Sequence, residues 1–273
     1  MTHFYEKIEQ EIDFQYECGK LESMLYTEPI LLSYHCLYDA IELNFRKWEK
    51  RGRYASFAEM RRAVGMDNGF SEGVLRPLNI AGVDEFVLYC EMIASVLWGV
   101  FPFFDYQALK DKVSEIVLTI DAVLSEIGME RKLQDGWQII VEKNAAATEV
   151  ADKNPEVADV IIEYNQYLLK DNLERKRTKL VKIVHALDPK RAELSTLNRQ
   201  LTNDFFGLAN NANIRHNNVT PDYKDYNPKF AKMSDVEKEN IYDLTYEQAL
   251  MLFMLLGQPE RDKKCKQFFA QTA

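Results

Sequence analysis

Apolar residues recur at every third or fourth position along most of the chain, which restricts it to amphipathic helices packed on one another. Phe4, Ile8, Ile12 and Tyr16 mark a first helix. Pro29 suits the first turn of a second, running to about Arg51. Ser56 and Glu59 form a capping-box pattern for a short helix that Gly65 ends. Residues 66–82, with Gly69, Gly73, Pro77 and Gly82, read as a loop. Asp84 is placed to cap an apolar helix through Val100, hydrophobic nearly all round and so expected at the centre of a core. Asp105 is placed to cap the next, which Gly128 closes.

The period changes in one place. Arg131–Gln134 and Gln138–Glu142 are short extended runs flanking Asp135-Gly136, the strongest short-range hairpin signal. Helical spacing then resumes. Asn154-Pro155, Asp171, Asp188-Pro189 and the Ser234/Glu237 capping box each start a helix, and the last runs to Gly257. Residues 217–233 read as an ordered loop. The expected fold class is mostly α, helical bundles with a single small β-hairpin. The expected organisation is an N-terminal bundle over 1–128, a hairpin connector between the halves over 129–144, and a second bundle over 145–273.

The chain has 273 residues, 47% of them hydrophobic, enough for a sizeable core. Its net charge of −9 repels phosphate on average and argues against bulk DNA binding or an anionic membrane surface. The apolar run Met92–Phe104 is shorter than the roughly 20 residues a membrane span needs. The first residues are amphipathic and acidic, unlike a signal peptide, and Cys18, Cys36, Cys90 and Cys265 show no Cys-x-x-Cys spacing. A cytoplasmic protein with reduced thiols is expected.

Few motifs carry chemistry. Gly69-Phe70-Ser71-Glu72-Gly73 matches the nucleophile-elbow pattern but lacks a preceding buried strand, so it reads as a coincidence. His3, His35, His185 and His216 are far apart, with no spacing that would bring metal ligands onto one helix face, and no phosphate-binding glycine pattern occurs. No metal or organic cofactor is implied. His35 reads as a core or interface histidine in an apolar helix, and His185 as a structural residue at a helix end. The segment from Lys170 to Arg199 holds nine Lys/Arg against four Asp/Glu, including Arg175, Lys179 and Lys182. That is either a solvated helix face or an electropositive surface.

The most specific stretch is Asn210-Asn211-Ala212-Asn213-Ile214-Arg215-His216-Asn217-Asn218, at the exit of a helix. A guanidinium grips phosphate through two parallel hydrogen bonds, and an imidazole moves protons near neutral pH. Arg215 and His216 are therefore the candidate catalytic residues. Asn211, Asn213, Asn217, Arg175, Lys179 and Lys182 are candidate substrate-binding residues. The alternative is structural: the asparagines cap the helix, and Arg215 and His216 pair with acids such as Asp222 or Asp225.

Glu163-Tyr164-Asn165-Gln166-Tyr167-Leu168-Leu169-Lys170, the basic helix after it, the helix to Leu208, Asn213–Asn218 and the later Tyr242-Asp243 together resemble the HEPN superfamily. More narrowly they resemble its abortive-infection-associated branch, over roughly residues 145–270. The resemblance implies an α-helical, homodimeric, defence-associated protein that binds RNA or cleaves it without metal, with Arg215 on the phosphate and His216 as general acid or base. The family's usual motif sets histidine four to six residues after an arginine. Here Arg215 directly precedes His216, and Asn211 stands five residues before it. Members without activity serve as binding modules, which leaves a non-catalytic interaction module as the other expectation.

Overall fold

The computed structural model describes residues 12–26, 34–66, 70–71, 74–75 and 78–272. The chain divides into two units, Met1–Glu142 and Lys143–Ala273. Most of the first amphipathic repeat and the Pro29 helix start lie outside the described residues.

In the first unit, helices α1 (Phe14–Tyr26), α2 (Leu37–Phe45) and α3 (Phe57–Ala63) pack with α4 (Val83–Val100) and α5 (Gln107–Glu126). Helix α2 stops at Phe45 rather than near Arg51, and Glu49–Arg51 form a separate 3-10 turn. His35 is exposed at the bend before α2, not within a helix. Ser56 caps α3 by accepting from the Glu59 N–H at 3.1 Å. Neither Asp84 nor Asp105 caps a helix: Gly82 and Tyr106 hold those positions, without a side-chain bond. Within the expected loop, β1 (Phe70–Ser71) and β2 (Val74–Leu75) form a two-residue ladder. Ser71 therefore stands in a short strand paired with Val74, not at an elbow between strand and helix.

Helix α4 is the core of this unit, with Phe86, Val87, Cys90, Ile93 and Leu97 buried. With its 3-10 extension it spans Val83–Phe103, longer than the apolar run suggested and long and apolar enough to cross a membrane, but mostly buried inside the unit. At Gly99 a Cβ would meet the Trp48 indole at 2.4 Å, so only glycine lets that ring lie on the helix.

The hairpin forms as its turn chemistry dictates. Strands β3 (Met129–Gln134) and β4 (Trp137–Glu142) pair with Gln134 opposite Trp137. Asp135 and Gly136 both take positive φ, 49° and 78°, the requirement of the tight turn. The hairpin, expected as a connector over 129–144, falls within the first unit as far as Glu142 and packs on its helices α4 and α5. Ser95 Oγ and Glu91 Oε1 accept from the Gln138 and Ile140 N–H groups at 2.9 and 2.7 Å, so side chains of α4 cover the strand's open edge. Arg131 fixes β3 to α5 by two bonds to Asp121, 2.6 and 2.8 Å.

This unit also buries an ion pair. Arg61 Nη2 donates to Glu22 at 3.0 Å, Arg61 Nε to the Met66 carbonyl at 2.9 Å, and the Tyr89 hydroxyl to Glu22 at 2.7 Å. Burial beside Glu22 pushes the Cys18 thiol up to about 12, which keeps it unreactive. Cys36 and Cys90 are also buried free thiols, and Cys265 is exposed.

The second unit runs α6 (Ala145–Lys153), α7 (Ala158–Tyr164), α8 (Leu173–Leu187), α9 (Arg191–Leu197), α10 (Arg199–Asn211), α11 (Pro228–Ala231), α12 (Asp235–Leu256) and α13 (Gln258–Thr272). Its core gathers Ile161, Leu180, Ile183, Val184, Leu187, Leu194, Phe205, Phe206, Ala209, Leu252 and Phe253. The expected long helix to Leu208 is broken: Asn198 turns extended at φ −152° and caps α10 by accepting from the Leu201 N–H. Asn172, not Asp171, caps α8, because Asp171 sits at φ 63°. Ser234 and Glu237 form the full capping box of α12. Helix α13 continues past Gly257 almost wholly exposed.

Candidate functional site

Helix α8 presents Val181, Val184, His185 and, one residue past its end, Asp188, at i, i+3, i+4 and i+7. Such spacing sets all four on one stripe. Helix α10 ends at Asn211, and Asn213 takes a left-handed φ of 58°, which asparagine tolerates because its side chain bonds locally. This turn releases Ile214, Arg215 and His216 from the helix, and the Arg215 N–H reaches back to the Ala209 carbonyl at 2.9 Å. On a helix, adjacent Arg and His side chains would diverge by about 100°. Here Ile214, Arg215 and His216 face the α8 stripe, and the seven residues line one cavity of about 270 Å³.

Arg215 Nη2 bonds Asp188 at 3.1 Å, and its guanidinium lies 5.7 Å from the Phe206 ring centre. Arg191 lies against the same ring at 4.5 Å. His216 Nδ1 faces Asp225 Oδ2 at 3.7 Å, with its side chain 44% exposed. His185, from α8, is an exposed residue of the same lining.

The asparagines hold the loop rather than line the cavity. The backbone N–H of Asn213 donates to Asn218 Oδ1 at 2.7 Å, and that of Asn218 returns to Asn213 Oδ1 at 3.2 Å. Asn217 Oδ1 accepts from the N–H groups of Val219 and Thr220. Asn211 Nδ2 donates to its own helix at Gly207. Asn218 is buried and ties the loop to the Asp225 carbonyl at 2.5 Å.

The basic helix is partly spent on structure. Lys179 pairs with Glu163, and Arg177 donates to the Asn213 carbonyl, anchoring the loop to α8. Arg175 and Lys182 are exposed. Lys176 is buried between Glu239 at 2.7 Å and Asp243 at 2.8 Å, and the Tyr164 hydroxyl also donates to Asp243 at 2.8 Å. The Tyr164 and Asp243 quoted for the family resemblance thus belong to a polar clasp joining α7, α8 and α12.

This clasp has a pH signature. Burial would raise the Glu239 carboxyl, but hydrogen bonds from Lys176 and the Asp171 N–H hold it below the usual carboxylate range. Its contribution to stability is full above the unfolded value of about 4.3 and is lost as pH falls through the lowered folded value. Burial would lower Lys176, but Asp243 and Glu239 raise it. Its contribution is full below about 10.4 and is lost as pH rises through the raised value. Urea unfolding across a pH series is expected to show both limbs, and Glu239→Gln to flatten the acid one. An unchanged acid limb in that variant would remove Glu239 from the account.

Beside the sequence candidates Arg215 and His216, the cavity is lined by His185 and Asp188, which sequence reasoning did not propose for a site and which meet the loop only through the packing of α8 against the Asn213 turn; Arg191 reaches the Phe206 ring beside Arg215. The signal available was the stripe spacing of 181, 184, 185 and 188. Among the described residues no three His, Cys, Asp or Glu side chains gather as a metal site. Compared with protein-family models, curated proteins and solved structures, the chain matches none.

Proposed function

We propose that this chain is a cytoplasmic, defence-associated RNA-binding protein of the metal-independent endoribonuclease type, acting at the Arg215–His216 pair. The observation that carries the reading is the convergence of Arg215 and His216 on one cavity at the end of the basic helix α8. Arg215 grips a backbone phosphate, and His216 transfers a proton to or from the ribose. The Arg215 and Asp188 side chains stay 27% and 33% exposed, so a phosphate has access to the guanidinium. The resemblance to HEPN proteins supports the defence setting.

The test is incubation of the purified protein with total RNA in chelator. Cleavage is expected to persist there, and RNA binding to weaken with rising salt, because phosphate contacts release counterions. Arg215→Lys is expected to lower activity, since lysine lacks the planar two-bond grip.

A second reading, a non-catalytic helical interaction module, is favoured by the Arg215–Asp188 ion pair and by the asparagines' use inside the loop. A wild type that neither cleaves nor binds RNA in chelator would establish that reading instead.

We also propose a homodimer through the second unit. The run Leu250–Leu255 is largely covered by its own bundle, but Val236, Leu244 and Met251 form an exposed stripe on α12, interleaved with exposed Asn240 and Glu247. Exposed Asp235 and Glu237 add negative charge at the start of the same helix. Exposed α13 carries Lys263, Lys264, Lys266, Phe268 and Phe269. Apolar and charge complementarity fit α13 of one copy to α12 of another. Light scattering at micromolar concentration is expected to give twice the chain mass, and Phe268→Asp with Phe269→Asp to give the monomer. Monomer mass for the unmodified chain would exclude this assembly.

A further inference from the structure

We infer that His185 is a second proton-transfer group of the same cavity, the counterpart of His216 in the cleavage proposed above. The inference rests on the RNA-cleaving reading above and deepens it.

Three observations support it. His185, on α8, lines the same cavity as Arg215 and His216 of the loop. Its side chain is exposed, and it has no hydrogen bond or ion pair among the described residues. The cavity, about 270 Å³, lies at the small end of ligand sites, the size for a phosphodiester and one sugar rather than a whole organic cofactor.

The chemistry needs two such groups. A 2′-hydroxyl is a weak nucleophile until its proton is taken, and a 5′-alkoxide is a poor leaving group until it receives one. One histidine takes the 2′ proton as the O2′–P bond forms. The other gives a proton to the 5′ oxygen as the P–O5′ bond breaks. The products are a 2′,3′-cyclic phosphate and a 5′-hydroxyl, with no water consumed and no net proton released. Arg215 stands beside the phosphate oxygens on which negative charge grows.

The test compares wild type, His185→Ala, His185→Gln and His216→Ala on a short oligoribonucleotide. A second version of the strand carries sulfur in place of the 5′-bridging oxygen, because a thiolate leaves without a proton. Loss of either histidine is expected to slow cleavage of the oxygen substrate by about 10²–10⁴-fold and to remove one limb of the pH–rate curve. The sulfur substrate is expected to restore one alanine variant and not the other. A strand with deoxyribose at the scissile position should stay intact. If wild type cleaves and both His185 variants match it in rate and pH profile, His185 has no part and the RNA reading stands without it. Rescue of both alanine variants, or of neither, overturns the division of labour. A wild type inert on every strand overturns both readings.

Discussion

His216→Ala is expected to slow RNA cleavage by about 10²–10⁴-fold while leaving the fold intact. The magnitude is that of a positioned acid or base removed from a reaction that still keeps its binding contacts. The fold should survive because the side chain is 44% exposed and faces only Asp225, at a distance longer than a hydrogen bond. Exposed substitutions of this kind usually change stability by less than about 0.5 kcal/mol. Thermal unfolding followed by circular dichroism should therefore overlay with wild type. RNA binding should persist, since Arg215 and exposed Arg175 and Lys182 remain. A variant that lost cleavage and melting temperature together would make His216 a structural residue of the loop, and the catalytic reading would lose its support.

Arg61→Met should destabilise the first unit by about 3–5 kcal/mol, the usual cost of leaving a buried charge without its partner. Arg61 and Glu22 are only 2% and 3% exposed. Removing the guanidinium leaves the Glu22 carboxylate with the Tyr89 hydroxyl but without its counter-charge. It also leaves the Met66 carbonyl without the bond that ties down the chain after α3. The double variant Arg61→Met with Glu22→Leu should recover most of the loss, because two well-packed apolar residues replace an ion pair at little net cost. Tyr89→Phe should cost less, about 1.5–3 kcal/mol, as one hydrogen bond to a charged acceptor. Urea unfolding of the four proteins gives these differences. A double variant as unstable as Arg61→Met alone would mean the network orders the core by shape rather than by charge balance.

These cases mark what the sequence carries and what it does not. The hairpin was legible because Asp135-Gly136 encodes its own turn, and α4 because a stretch apolar on all faces has to be buried. The α12 capping box was legible because Ser234 and Glu237 act on neighbouring backbone. Arg61 was not: within Glu59-Met60-Arg61-Arg62 it reads as a surface charge, and its partner is 39 positions away. Asn198 was passed over because one capping asparagine inside a good apolar repeat resembles a tolerated interior residue. At the site, the sequence pointed to Arg215 and His216 and left the asparagines open between ligands and structural residues; the bonds of Asn213, Asn217 and Asn218 run within the loop. It set His185 aside because a helix-end histidine has a ready electrostatic explanation. Only the fold of the Asn213 turn against α8 brings the two histidines to one cavity.

The indoles have a practical consequence. Trp48 and Trp137 stand edge to face at 5.0 Å, and with Trp98 they are the chain's three tryptophans, all within residues 1–142. Intrinsic emission excited at the red edge therefore watches the first unit alone and is blind to the one that holds the cavity. A melt followed only by that signal would report the wrong half of the molecule for every variant of Arg215, His216 or His185. Tyrosine absorbance or backbone ellipticity has to be read alongside it, and a gap between the two curves would measure how independently the units unfold.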